Sequence, residues 1–139
     1  MYDHFDDFIK TFGSENASED YWYDVALFES IETVNKFNED DWEKVMQNIS
    51  SKSKIWKIRL LESFGDDSSA ERIIITHNLL EESSDDEVLM AAIDYLRGIP
   101  IRLSGVINGK SLQKLKSLKE KNKINKVIID DFMKSRQEI

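Results

Sequence analysis

The 139-residue sequence contains no cysteine, which excludes disulfides, thiolate catalysis and cysteine-based zinc sites. One proline and five glycines are too few for a loop-rich or disordered chain. No apolar run approaches the roughly 20 residues that a membrane-crossing helix needs. The acidic start, Met1-Tyr2-Asp3-His4-Phe5-Asp6-Asp7, lacks the basic residues and the apolar stretch of a secretory leader. The cytoplasm is therefore the expected compartment. The two histidines, His4 and His77, fall in neither His-x-x-x-His nor His-Glu-x-x-His. Gly-x-Gly-x-x-Gly, a Walker loop and Gly-x-Ser-x-Gly are all missing.

What is present is apolar residue content of 40% and a net charge of -8. That length and composition suit a single helical domain over 1–139. The charge is unevenly spread. Residues 1–50 hold 13 acids against 3 lysines and no arginine, whereas residues 99–139 hold 4 acids against 10 bases. An acidic surface repels nucleic acid and attracts basic proteins.

Helical periodicity runs through the chain. Phe5, Phe8, Ile9 and Phe12 predict a short helix over 2–12, and Trp22, Val25, Phe28, Ile31 and Val34 a longer one over 19–36, each with those residues inward. Trp42, Val45, Met46 and Ile49 form one stripe, with Asn38 as its N-cap and Glu39, Asp40 and Asp41 in the first turn. Ile55, Ile58, Leu61 and Phe64, widened by Trp56 and Leu60, form the next, and Gly65 stops it. Ser68-Ser69-Ala70-Glu71 and Ser84-Asp85-Asp86-Glu87 read as capping boxes. Behind the first lie Ile73, Ile74, His77 and Leu80; behind the second lie Val88, Ala91, Ala92, Tyr95, Leu96 and Ile99. Gly98 and Pro100 end that run. The short link between the two forces a helical hairpin. Asn108-Gly109 breaks the chain before Leu112, Leu115 and Leu118, and Ile124, Val127, Ile128 and Phe132 mark a last helix. The fold class is all-α, with antiparallel helical hairpins stacked as a short solenoid or an irregular bundle.

Two such hairpins, roughly 42–64 and 71–97, are related by a shift of 33 residues that sets Ile55 on Val88, Ile58 on Ala91 and Gly65 on Gly98. Leu79-Leu80, the polar turn, Asp85-Asp86-Glu87-Val88, Ala91-Ala92 and Leu96 resemble the second half of a HEAT repeat. In that family the acidic turn caps the second helix and the alanines allow close approach to its neighbour. The first pair departs from the pattern, with Ile58 and Arg59 where the double alanine belongs.

Chemistry-bearing residues are sparse. Five Asp-Asp pairs, Asp6-Asp7, Asp40-Asp41, Asp66-Asp67, Asp85-Asp86 and Asp130-Asp131, mostly sit at helix starts or turns, where capping and solvation account for them. Neighbouring residues on a helix also diverge, which makes a poor acid–base pair. Asp3, Asp6 and Asp7 do not continue into a calcium loop. No catalytic, cofactor or metal residues are assigned, and binding rather than catalysis is expected. Lys110, Lys114, Lys116, Lys119, Lys121, Lys123 and Lys126 could meet phosphates, but the segment lacks arginine and aromatic residues for base readout or stacking. Direct nucleic-acid binding is the weaker reading.

In length, acidity and an aromatic-rich, acidic start through Asp24, the chain resembles the immunity proteins of bacterial contact-dependent growth inhibition and related polymorphic toxin systems. That resemblance implies a toxin inhibitor whose partner is a cognate toxin domain, basic and foremost a nuclease, bound by a monomer without cofactor or membrane. An acidic surface with aromatic anchors suits a basic, phosphate-binding active site. The candidate contacts are Asp3, Asp6, Asp7, Glu15, Glu19, Asp20, Tyr21, Tyr23 and Asp24. Trp22 shares a stripe with Val25 and belongs in the core, and Tyr21 and Tyr23 cannot both follow it inward. A helical-repeat adaptor for another cellular protein is the alternative.

Overall fold

A computed structural model describes residues 1–137. Their regular structure is entirely helical, so the protein is all-α. Among the described residues no helix is long and apolar enough to cross a membrane. Packing divides the chain into two units, Met1–Gly65 and the part from Asp66 onward.

In the first unit α1 (Tyr2–Phe8) runs into a π-helical turn at Ile9–Gly13. The short α2 (Glu19–Tyr21) passes through a second π-helical turn, Trp22–Ala26, into α3 (Leu27–Asn35). α4 (Glu39–Asn48) and α5 (Lys54–Ser63) complete the unit. α4 starts where the Asn38 side chain accepts a hydrogen bond from the Asp41 N–H and the Asp41 carboxylate accepts one from the Asn38 N–H, both at 2.9 Å. Asp41 also accepts from the Tyr2 N–H at 3.0 Å, which fastens α1 to α4. Ser53 caps α5, and Gly65 ends it at a φ of 61°, a conformation that costs glycine little. After α4 the chain makes a 3-10 turn at Ile49–Ser51 and then extends through Lys52 and Ser53. This swings α5 toward α3 and the π-turn of α1, which are its main neighbours in place of the expected hairpin partner α4.

The core of this unit is aromatic. Phe5 meets Phe37 and Trp56 edge-on at 5.8 and 5.5 Å, Phe37 meets Trp42 at 5.0 Å, and Trp42 meets Phe64 at 6.0 Å. Such edge-to-face pairs add about 1 kcal/mol each beyond the burial of their area. The inward face of 19–36 differs from the expected one. Trp22, Ala26, Ser30, Thr33 and Val34 are buried, while Val25 and Phe28 stand 52% and 77% exposed. The π-turn is the reason: it fits an extra residue into one turn and rotates the residues beyond it. Met46 is likewise turned out, and Phe8 and Phe12 are only half-buried.

In the second unit α6 (Ala70–Glu82) and α7 (Asp86–Arg97) form the hairpin that their short link demands. A 3-10 turn at Ile101–Leu103 leads to α8 (Gly109–Lys119) and α9 (Lys123–Gln137). The caps differ in detail from the two expected boxes. Asp85, one residue beyond Ser84, caps α7 by accepting from the N–H groups of Glu87 and Val88 at 3.0 and 3.1 Å. Before α6, the Ser69 hydroxyl accepts from Arg72 at 2.9 Å instead of capping the helix. Asn108 caps α8 through the Ser111 N–H at 2.9 Å.

The buried face of α6 is Arg72, Ile75, Thr76, Leu79 and Leu80, one position from the expected Ile73, Ile74 and His77. Thr76 tolerates burial because its hydroxyl donates to the Arg72 carbonyl at 2.7 Å. His77 lies 2.6 Å from the Ser104 carbonyl through Nε2, a structural contact. Tyr95 donates to the Asp67 carbonyl at 2.6 Å, and burial pushes its phenol up to about 12. α9 buries Ile129 and Phe132 and leaves the expected core residues Ile124 and Val127 exposed.

Candidate protein-binding surface

The acidic start of the chain builds its surface from α1, the turn at 14–18 and the α2–α3 helix. Ser18 opens α2 by accepting from the Tyr21 N–H at 3.2 Å, so Glu19 and Asp20 occupy a first turn that favours carboxylates. Over residues 11–35 the sequence has six acids (Glu15, Glu19, Asp20, Asp24, Glu29 and Glu32) and no lysine or arginine. All six are exposed. Among the described residues none of the six forms an ion pair, so their charge faces solvent.

Beneath them a buried arginine fixes the helix. Arg59 on α5 is 3% exposed and donates to the Gly13 carbonyl at 3.0 Å, the Tyr23 hydroxyl at 3.1 Å and Glu62 at 2.9 Å. Its guanidinium lies 5.0 Å from the Trp22 ring centre and 5.3 Å from that of Tyr23. Glu62 in turn accepts from the Trp22 indole N–H at 3.2 Å and from the Tyr23 hydroxyl at 2.6 Å. Burial works to lower the Arg59 pKa, but Glu62 and Tyr23 outweigh it and hold the guanidinium above its usual range. Burial, reinforced by Glu62, raises the Tyr23 phenol. Glycine suits the close pass at Arg59: a Cβ at Gly13 would stand 3.2 Å from both Arg59 and Trp22, so those side chains would have to shift by a few tenths of an ångström to admit it. The network joins the end of α1, the π-turn of α2 and α5, and so settles which side chains of α2 face outward.

Those that do are apolar as well as acidic. Tyr21, Tyr23 and Val25 are about half exposed and Phe28 is more so. Tyr21 continues an aromatic row along α1: His4 lies 6.3 Å from Phe8, Phe8 4.9 Å from Phe12, and Phe12 5.6 Å from Tyr21. An open cavity of about 510 Å³ sits against this row, lined by Thr11, Phe12, Ala17, Ser18 and Tyr21.

The candidate contacts divide accordingly. Glu19, Asp20, Tyr21, Tyr23 and Asp24 share α2 and its π-turn, Glu15 lies in the preceding turn, and Asp3 and Asp7 are exposed on α1. Asp6 is half-buried and already engaged, with Lys10 and Lys52 both at 3.0 Å and the Trp56 indole N–H at 2.9 Å. Burial would raise its carboxyl, but those hydrogen bonds prevail and hold it below the usual carboxylate range. Glu29 and Glu32 also join the surface, as do Val25 and Phe28, which the helical period places inward. The lack of any base over 11–35 was the signal for the two glutamates; the outward turn of Val25 and Phe28 had none.

The lysine-rich segment is largely occupied within its own unit. Lys114 donates to the carbonyls of Leu80, Glu81 and Ser83 at 2.9, 2.5 and 2.7 Å, closing the C-terminus of α6. Lys119 and Lys126 meet Asp130 at 2.5 and 2.8 Å, and Lys121 meets Asp86 at 2.5 Å. The acidic pairs serve the same kind of role, with Asp41 and Asp85 in caps and Asp6, Asp67, Asp86, Asp130 and Asp131 in ion pairs. Comparison with protein-family models, curated proteins and solved structures finds no match to this chain.

Proposed function

We propose that the protein is a cytoplasmic inhibitor of the immunity type, which neutralises a basic bacterial toxin domain, foremost a nuclease, by covering its active site. It works by binding and performs no catalysis. The observation that carries this reading is the α2–α3 surface: six exposed acids without an ion-paired base, interleaved with Tyr21, Tyr23, Val25 and Phe28. Carboxylates steer a basic partner and speed association, while apolar side chains that become buried prolong the complex. A site that binds phosphates is basic and offers the complementary field.

The same surface serves poorly for nucleic acid, which it repels. The lysines that could reverse this are largely held by Asp86, Asp130 and the α6 carbonyls. The test is co-purification of the tagged full chain from cells carrying its neighbouring genes. The expected result is a stoichiometric basic protein whose toxic activity disappears in the complex and returns on dissociation. A partner with no activity to suppress would convert the reading to an adaptor.

A further inference from the structure

The cavity beside Phe12 and Tyr21 has a chemistry that narrows what can enter it. Its polar side chains are partly engaged: Thr11 donates its hydroxyl to the Asp7 carbonyl at 3.0 Å and Ser18 accepts from the Tyr21 N–H, while the Ser18 and Tyr21 hydroxyls can still hydrogen-bond outward. Beside them lie the methyl of Ala17 and the faces and edges of two rings inclined by 35°. A flat, weakly hydrated cation on an apolar stem would find aromatic surface for its head and methyl groups for its stem. Glu15, Glu19 and Asp20 belong to the turn and helix that frame the cavity, and all are exposed. The nearest base along the chain, Lys10, is paired with Asp6 at 3.0 Å. The protein holds its own Arg59 by the same combination, between Trp22, Tyr23 and Glu62.

We propose that this cavity is a socket for one arginine side chain of the protein partner, stacked on Phe12 and Tyr21 under the carboxylates of the α2 start. The inference rests on the inhibitor reading and adds to it the residue type that anchors the complex. A planar guanidinium gains from ring contact and carboxylate together, and this surface offers both.

The test is an NMR titration of the full, isotope-labelled chain with acetyl-Gly-Arg-Gly-amide, using the citrulline analogue as the isosteric uncharged control. Saturable shifts should gather at Thr11, Phe12, Ala17, Ser18 and Tyr21, with at least fivefold weaker binding of the citrulline peptide. Y21A and F12L should each weaken the arginine peptide by threefold or more; Phe12→Leu keeps most of the side-chain volume, and Tyr21 is too exposed to hold the fold. Equal shifts from the two peptides, shifts centred elsewhere, or unchanged binding by both variants would overturn the socket. None of these outcomes depends on the toxin, so the socket can fall while co-purification still decides the inhibitor reading.

Discussion

Residues 11–35 and 110–126 are both strongly charged, yet they handle charge in opposite ways. The first segment has six acids and no base, and its carboxylates stay in solvent beside exposed rings. The second has seven lysines and one glutamate, and four of those lysines meet aspartates or helix-end carbonyls of the same unit. A charge run is therefore a poor guide to function until its partners are known. Four of the lysines meet acceptors within their own unit, while the acids of the first segment have no ion-paired base among the described residues.

Four variants and one titration break or sharpen that contrast. The largest effect should come from Arg59→Met, which strands Glu62, the Tyr23 hydroxyl and the Gly13 carbonyl around a lost cation. Removing one member of a buried ion pair costs about 3 kcal/mol, readable in urea denaturation. Lys114→Met should cost about 1.5 kcal/mol, the usual scale for hydrogen bonds from a charged donor. Hydrogen exchange should then quicken at the end of α6 and stay unchanged in the first unit. Charge reversal by D20K and D24K together should weaken the proposed complex with a basic partner at least tenfold, mainly through slower association at low salt. Stability should move by no more than about 0.5 kcal/mol, as for other exposed positions. Phe28→Ser should be just as mild on stability, and loss of affinity without loss of fold would assign that ring to the interface.

The titration separates buried from exposed carboxylates. Burial works to raise Asp41, but the N–H groups of Asn38 and Tyr2 prevail and hold it below the usual range. Asp130 is also held low, by hydrogen bonds from Lys119 and Lys126, but it lies in solvent. A carboxylate whose folded pKa lies below its unfolded value stabilises fully above that unfolded value, about 3.9. The contribution disappears as pH falls through the folded pKa. Stability should accordingly drop below about pH 4. In NMR titrations, 1 M salt should return Asp130 toward the ordinary range and leave Asp41 low, since only the exposed pair is screened.

Much of this fold was legible because apolar spacing and cap residues agree. Asn38, Gly65 and most of the face from Val88 to Ile99 fall where the sequence places them, although Ala91 is only half-buried and Leu89 and Ile93 join the face, and the 70–97 hairpin follows from a link too short for anything else. The errors have local causes. Asp85 displaced Ser84 as a cap because a carboxylate can accept two backbone N–H groups at once. Nothing marked Arg59 for burial, since no spacing rule shows that Glu62, Tyr23 and a backbone carbonyl will converge on it. The site was legible as acidic and aromatic but not as a face. At least one of Tyr21 and Tyr23 has to stay near the surface by helical spacing, and both do, whereas Val25 and Phe28 are placed inward by a period that the π-turn interrupts.

That π-turn has a consequence for insertions and deletions. Losing one residue between Trp22 and Ala26 would let the helix wind as ordinary α throughout, with little harm to its backbone hydrogen bonds. Because the π-turn already fits its extra residue into one turn, Tyr21 and Asp20 before it and Phe28 beyond it would keep nearly the facing they have now. The same deletion in a plain α-helix would turn one side against the other by about 100°, the angle one residue subtends. Most helices cannot absorb a change of length silently. This one carries a spare residue that can be given up without re-aiming the side chains around it.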